Sequence, residues 1–118
     1  MSGTTIAIAI AGRTVTGSLE QSATARALVA QLPLDLSFRD FGGQEKIADL
    51  PAALPVDGMP PGSAAEPGTI GYYAPDRVLV LYYEHVGYYT GIIPIGTFDD
   101  VAGIRDQGDH FAALISMM

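Results

Sequence analysis

Cysteine is absent from the 118-residue chain, and so is tryptophan. Without thiols there is no disulfide, no zinc–thiolate centre and no thiol nucleophile. Basic residues are scarce: Arg13, Arg26, Arg39, Lys46, Arg77 and Arg105 stand against thirteen acids, for a net charge of −7. They are spread singly, so no positive patch exists to neutralise phosphates, and neither nucleic acid nor an anionic membrane is an expected partner. The acidity itself reads as solubility. Long apolar runs are also missing, since none approaches the ~20 residues of a spanning helix. Met1 to Thr5 lacks the basic residues of a signal peptide. The expectation is one soluble, cytoplasmic domain over residues 1–118. His85 and His110 lie far apart in sequence, so no metal is expected, and no cofactor.

What the chain does have is a concentration of apolar and aromatic residues from Gly68 to Tyr83. Ile70 to Ala74 and Val78 to Tyr83 read as two strands. Ala74-Pro75-Asp76-Arg77 between them is turn chemistry, proline presetting φ at the second position. The unbroken apolar run from Val78 predicts a strand covered on both faces. This hairpin should cross the middle of the molecule.

The rest of the chain is arranged around it. Ile6, Ile8 and Ile10 alternate with alanines, and after a turn at Gly12-Arg13 a second strand returns from Arg13 to Leu19. Ser22 or Thr24 caps a helix whose stripe is Ala25, Leu28, Val29 and Leu32, and Pro33 ends it. Leu34, Leu36 and Phe38 alternate with polar residues in a half-buried strand. Ile47 to Leu54 reads as weakly helical, broken by Pro51 and Pro55. Pro55 to Gly68 is proline-rich and aperiodic, a long surface loop of the kind that carries function. Glu84 to Gly91 reads as a glycine-bounded loop. Ile92 to Phe98 is a strand in which Pro94 predicts an edge or a bulge. Asp99-Asp100 opens a helical turn near 99–105, and Phe111 to Met117 is a last strand that pairs with the N-terminal hairpin. About eight strands with one main helix at 23–32 make a mainly β chain, expected as a closed antiparallel barrel.

The order of residues resembles the cyclophilins. Gly12 to Leu19 followed by Thr24-Ala25-Arg26-Ala27-Leu28 is similar to their opening strand pair and the helix that plugs the barrel. Pro67 to Ala74 resembles the segment entering the catalytic face, and Leu81-Tyr82-Tyr83 stands where cyclophilins carry Gln-Phe-Phe. Ile93 to Phe98, with Val101 and Ile104, resembles the late strand and its trailing helix. A closer similarity is to the small bacterial cyclophilin-like proteins, mostly of unknown function. It is carried by Thr24 to Leu28, Leu32-Pro33-Leu34, Glu45 to Pro51, Gly58-Met59-Pro60 with Gly62, and Tyr72-Tyr73-Ala74-Pro75. Asp76-Arg77 departs from the Trp-Gly that often follows there. The resemblance implies an eight-stranded antiparallel cyclophilin-like barrel. Of the cyclophilin catalytic set, Leu81 replaces the glutamine, tryptophan is missing, no histidine stands near Gly91-Ile92, and Arg39 is the remaining candidate arginine.

All six tyrosines lie between residues 72 and 89. Neighbours on a strand face opposite ways, so one member of each pair is expected inside and one outside. The outward members would line a pocket with apolar faces and hydroxyl handles. Glu84-His85 is either an acid–base pair or a solvated turn. Arg39, Glu45 and Lys46, flanking the Phe41-Gly-Gly turn, either meet an anion or peptide carbonyl or form structural salt bridges. The expected ligand cleft comprises Arg39, Phe41, Tyr73, Tyr83, Glu84, His85 and Tyr88. Three functions compete: a module binding a peptide or small molecule at that cleft, a weak prolyl isomerase with Arg39 as its catalytic residue, and an interaction protein, a homodimer through an exposed strand or the Ile92–Phe98 edge.

Overall fold

The computed structural model describes residues 3–118. Ten strands and two helices follow in the order β1 (Thr4–Ile10), β2 (Arg13–Leu19), α1 (Ala23–Gln31), β3 (Leu34–Phe41), β4 (Glu45–Asp49), β5 (Gly62–Ala65), β6 (Thr69–Tyr73), β7 (Val78–Tyr82), β8 (Val86–Thr90), β9 (Ile92–Phe98), α2 (Val101–Arg105) and β10 (His110–Met117). Eight of the strands close a barrel in the order β1-β10-β3-β4-β7-β6-β9-β2. All its neighbouring pairs are antiparallel. The mainly β, closed antiparallel barrel expected from the sequence is the fold observed. β5 and β8 pair only with each other, as a two-stranded arm outside it.

Alternation sorts the side chains. Ile6, Ile8 and Ile10 of β1, Val15 and Leu19 of β2, Leu36 and Phe38 of β3, and Ala113 and Ile115 of β10 all join one buried cluster inside the barrel. The central hairpin behaves as its composition dictates: every residue of β7 is buried. Leu79 and Leu81 point into the barrel with Ile70 and Tyr72. Val78, Val80 and Tyr82 point outward, into a second apolar cluster with Ile47, Ala65 and Ile92.

The helices close the two mouths. α1 joins the end of β2 to the start of β3, and its Ala25 and Leu28 are fully buried. Ser22 caps it, its hydroxyl accepting the Ala25 N–H at 3.2 Å, and Leu32 before Pro33 is extended at φ −70°, ψ 148°. At the opposite mouth α2 joins β9 to β10, with Ile104 buried and Asp100 as its cap. Here an amine completes the seal. Lys46 points inward from β4, only 2 % exposed, and donates to the carbonyls of Gln107 at 3.0 Å and Gly108 at 3.2 Å. It also pairs with Asp40 at 3.1 Å. A buried ammonium is tolerated only when its protons are taken up in this way.

Three sequence expectations are corrected, and of the edge or bulge expected at Pro94 the bulge is observed. The stretch from Ile47, read as weakly helical, begins as strand: β4 pairs with β3 and β7, and those cross-strand bonds override the local preference. The proline-rich loop 55–68 contains β5, and the loop 84–91 contains β8; each finds its backbone partner in the other. β9 is not an edge, since it pairs with β2 and β6, and the register shift opposite Ile70 and Gly71 accommodates Pro94 as a bulge. The tyrosines alternate in facing but not in exposure as expected: Tyr72 is inside and Tyr73 outside, Tyr82 faces outward yet is buried in the second cluster while Tyr83 is buried at the barrel mouth, and Tyr88 and Tyr89 are both exposed.

Segment 50–61 is pinned to the α1 mouth. Thr24 donates to the Pro55 carbonyl at 2.6 Å, and the Leu54 N–H donates to the buried Tyr72 hydroxyl at 3.1 Å. Tyr72→Phe strips that buried N–H of its acceptor. It should cost about 1–3 kcal/mol in chemical denaturation while the far-ultraviolet spectrum stays unchanged.

Candidate functional site

The outward face of β4, β7, β6 and β9 is largely apolar, and the β5–β8 arm roofs only part of it. Register places the floor: Glu45 lies opposite Tyr82, Ile47 opposite Val80, and Tyr73 opposite Val78, all on the outer face. The gap beside the arm is a cleft of about 340 Å³. Phe41 and Gln44 stand at one side, Val86 and Tyr89 of the arm are at the other, and Tyr73, Asp76 and Ile92 also line it.

Two glycines shape it. A methyl group on Gly71 would come within 2.8 Å of the Tyr82 ring, so the bare strand is what lets that ring lie across it. Gly91, at φ +103°, turns the chain from β8 into β9 so tightly that an added Cβ would sit 2.7 Å from Pro75 and 3.0 Å from Tyr73. The Tyr73 ring is held between that turn and Tyr89, whose centroid is 6.0 Å away at a 41° tilt. Phe41 and Tyr89 are more than half exposed, so apolar rings frame the opening.

The cleft carries one electrostatic anomaly. The Glu45 carboxyl has no hydrogen bond or ion pair among the described residues. Burial pushes its carboxyl up to about 7, and the nearby Asp40 charge adds to this. Burial likewise raises the Tyr82 and Tyr73 hydroxyls, the Glu45 charge adding to both. A carboxyl poised near neutrality between apolar walls can exchange a proton with a bound molecule or hold a positive charge. No cluster of three or more metal-ligating side chains occurs among the described residues.

Of the sequence-derived candidates, Phe41 and Tyr73 line this cleft. Arg39 does not: it shares the outer face but pairs with Asp49 at 3.3 Å. Tyr83 belongs to the sealed barrel mouth, where its hydroxyl donates to Asp40 at 2.6 Å and its ring lies 5.4 Å from the Lys46 amine. Burial and that bond push the Tyr83 hydroxyl up to about 12, and the Tyr83 and Lys46 contacts hold Asp40 low. Glu84 is exposed outside the cleft, and His85 meets Glu66 at 3.1 Å at the base of the arm. Tyr88 is exposed on the arm and is not part of the lining. The expected cleft omits the rest of the lining, Tyr82, Tyr89, Asp76 and Glu45 among them; the sequence reading weighs Glu45 only with Arg39 and Lys46, as a contact for an anion or peptide carbonyl or as half of a salt bridge. One signal for Glu45 was available: it alternates with Ile47 in a segment that must cover one side of the all-apolar Val78–Tyr82 run.

A closed eight-stranded antiparallel barrel with a helix at each mouth is a cyclophilin-like fold. The chain belongs to the cyclophilin-like family, whose model matches residues 8–116. Among solved structures it is similar to a hypothetical protein from Archaeoglobus fulgidus, at TM-score 0.77 and 15% identity over 98% of this chain and 95% of that one. That likeness concerns the fold. No curated protein sequence matches the chain.

The Glu45 shift fixes a sign for stability. Its carboxyl titrates near its ordinary 4.5 when unfolded and near 7 when folded, so the native state favours the protonated form. That contribution is complete below about pH 4.5 and is lost as pH rises through about 7. Glu45→Gln should therefore match the parent at about pH 4.5. At about pH 8 it should exceed the parent by on the order of 1 kcal/mol, the linkage value being discounted for partial exposure. Urea melts at the two pH values check it.

Proposed function

We propose that the protein is a binding module whose outer cleft takes one ring-sized apolar group, carried by a small molecule or by a peptide side chain. The observation that carries this reading is the incomplete roof over the second apolar cluster. Four aromatic rings, Phe41, Tyr73, Tyr82 and Tyr89, surround a space of about 340 Å³ that the chain does not fill. That volume lies within the ~300–1,000 Å³ range of small-ligand sites. Open apolar surface framed by exposed rings is costly to maintain and is relieved by an occupant.

The isomerase reading draws less support. Catalysis of that kind needs a donor aimed at the proline nitrogen, and Arg39 lies outside the cleft lining, beside Asp49 in an exposed pair. The homodimer reading loses the Ile92–Phe98 edge, because β9 is paired on both sides; its other form, through an exposed strand, keeps the outer edges of the β5–β8 arm, whose strands pair only with each other.

A thermal-shift screen of small aromatic compounds should find members that raise the melting temperature. Phe41→Ala combined with Tyr89→Ala removes two exposed walls. It should weaken such binding about tenfold or more with little loss of intrinsic stability. Acceleration of Xaa-Pro isomerisation in a test peptide, abolished by Arg39→Ala, would overturn the binding-module reading.

A further inference from the structure

The cleft holds two carboxyl groups in its lining and no basic side chain. None of the six bases of the chain lines it. The nearest, Lys46, is next to Glu45 in sequence but faces the barrel interior, where Asp40 and the Gln107 and Gly108 carbonyls occupy its amine. Arg39 pairs with Asp49, and His85 with Glu66. Against this stand two carboxyl groups in the lining, Glu45 on the floor and Asp76 from the β6–β7 turn, and four aromatic rings.

From this arrangement we infer that the occupant of the cleft is an organic cation: an ammonium or guanidinium head on an apolar stem, its charge against Glu45 and its body among the tyrosine and phenylalanine rings. The inference rests on the binding-module reading and narrows it. Aromatic rings present negative faces, and a cation over them gains about 0.5–2 kcal/mol as water is excluded. A carboxylate without any partner gains a charge-assisted hydrogen bond, about twice as strong as a neutral one. An anionic occupant meets only like charge, and a neutral one leaves Glu45 as poorly solvated as before. The net charge of −7 draws cations toward the molecule at low ionic strength.

The same geometry couples binding to a proton. The titratable groups that share the cleft with Glu45 are Tyr73 from β6, Asp76 from the following turn, Tyr82 from β7 and Tyr89 from β8, with the Asp40 charge acting from the sealed mouth, and none of them supplies positive charge. In the empty cleft burial holds the Glu45 carboxyl near 7. A cation beside it favours the carboxylate, so at about pH 7 binding expels roughly half a proton.

Three probes of similar shape separate the possibilities: phenethylammonium, 2-phenylethanol and 3-phenylpropanoate, with Nα-acetyl-lysine N-methylamide as the cation in the form a peptide presents it. Each is titrated to millimolar concentration into isotopically labelled protein, and the amide resonances of Gln44, Ile47, Tyr82 and Val86 are followed. At about pH 8 phenethylammonium or the lysine amide should bind about tenfold more tightly than the alcohol, and the propanoate should be weakest. Whichever of the two cations is tighter identifies a free amine or a peptide as the source. Glu45→Gln should bring cation and alcohol to within about twofold, and lowering the pH of the parent to about 5.5 should do the same. Calorimetry near pH 7 should give an apparent enthalpy that differs between phosphate and Tris by the expelled proton. If the alcohol or the propanoate binds in the cleft as well as either cation, or if the glutamine variant keeps the preference, the cation assignment fails and the binding module stands. If no probe moves those resonances, both fall.

Discussion

Everything distinctive about this barrel follows from a sheet that must bury both of its faces. β7 has no polar side chain to offer solvent: Leu79 and Leu81 fill the barrel, while Val78, Val80 and Tyr82 are left outside. Burying side chains of this size is worth about 1.5–3 kcal/mol each, so the outer row cannot be left bare. The chain covers it by detaching two short strands, β5 and β8, into an arm laid over that wall. The arm supplies Ala65 and Val86 as a roof, and it is too short to cover the whole row. The cleft is the remainder.

The alternation of β4 divides the chemistry between the two sides of the wall. Lys46 goes inward and Glu45 outward, one residue apart. Inside, the ammonium meets Asp40, two carbonyls and the rings of Tyr83 and Phe111, the latter stacked on Phe38 at 5.3 Å. That network closes the α2 mouth and satisfies every proton of the amine. Outside, the carboxyl lies among apolar rings with no donor. Adjacent charges of opposite sign that look like a salt bridge in the sequence are thus separated by the sheet itself, and only one of them is neutralised.

Much of the scaffold was legible because it is local. The isoleucine–alanine alternation of β1, the Ser22 cap, the stop at Pro33 and the Ala74–Arg77 turn each depend on residues within a few positions of one another. The bulge at Pro94 is equally local, since a residue without an N–H cannot hold a regular ladder. β4 and the arm were not legible in the same way. Glu45 to Asp49 has no strong strand preference and becomes extended only between β3 and β7. Gly62–Ala65, inside a proline-rich stretch, becomes strand only because Val86–Thr90 lies beside it.

The same distinction governs the site. Composition and periodicity alone committed the chain to a mainly β barrel, with a helix of about ten residues over one mouth and a set of tyrosines in its second half. Those properties come from hydrophobic spacing and turn chemistry, which act over a handful of residues. Which tyrosine lines the cleft, which locks the barrel mouth and which fills the core was decided by cross-strand register and by where the arm ends. Register joins residues tens of positions apart, and shifting it by one residue exchanges the two faces of a strand. That is why Phe41 and Tyr73 belong to the cleft, Tyr83 to the lysine seal, and Glu45 to the cleft wall.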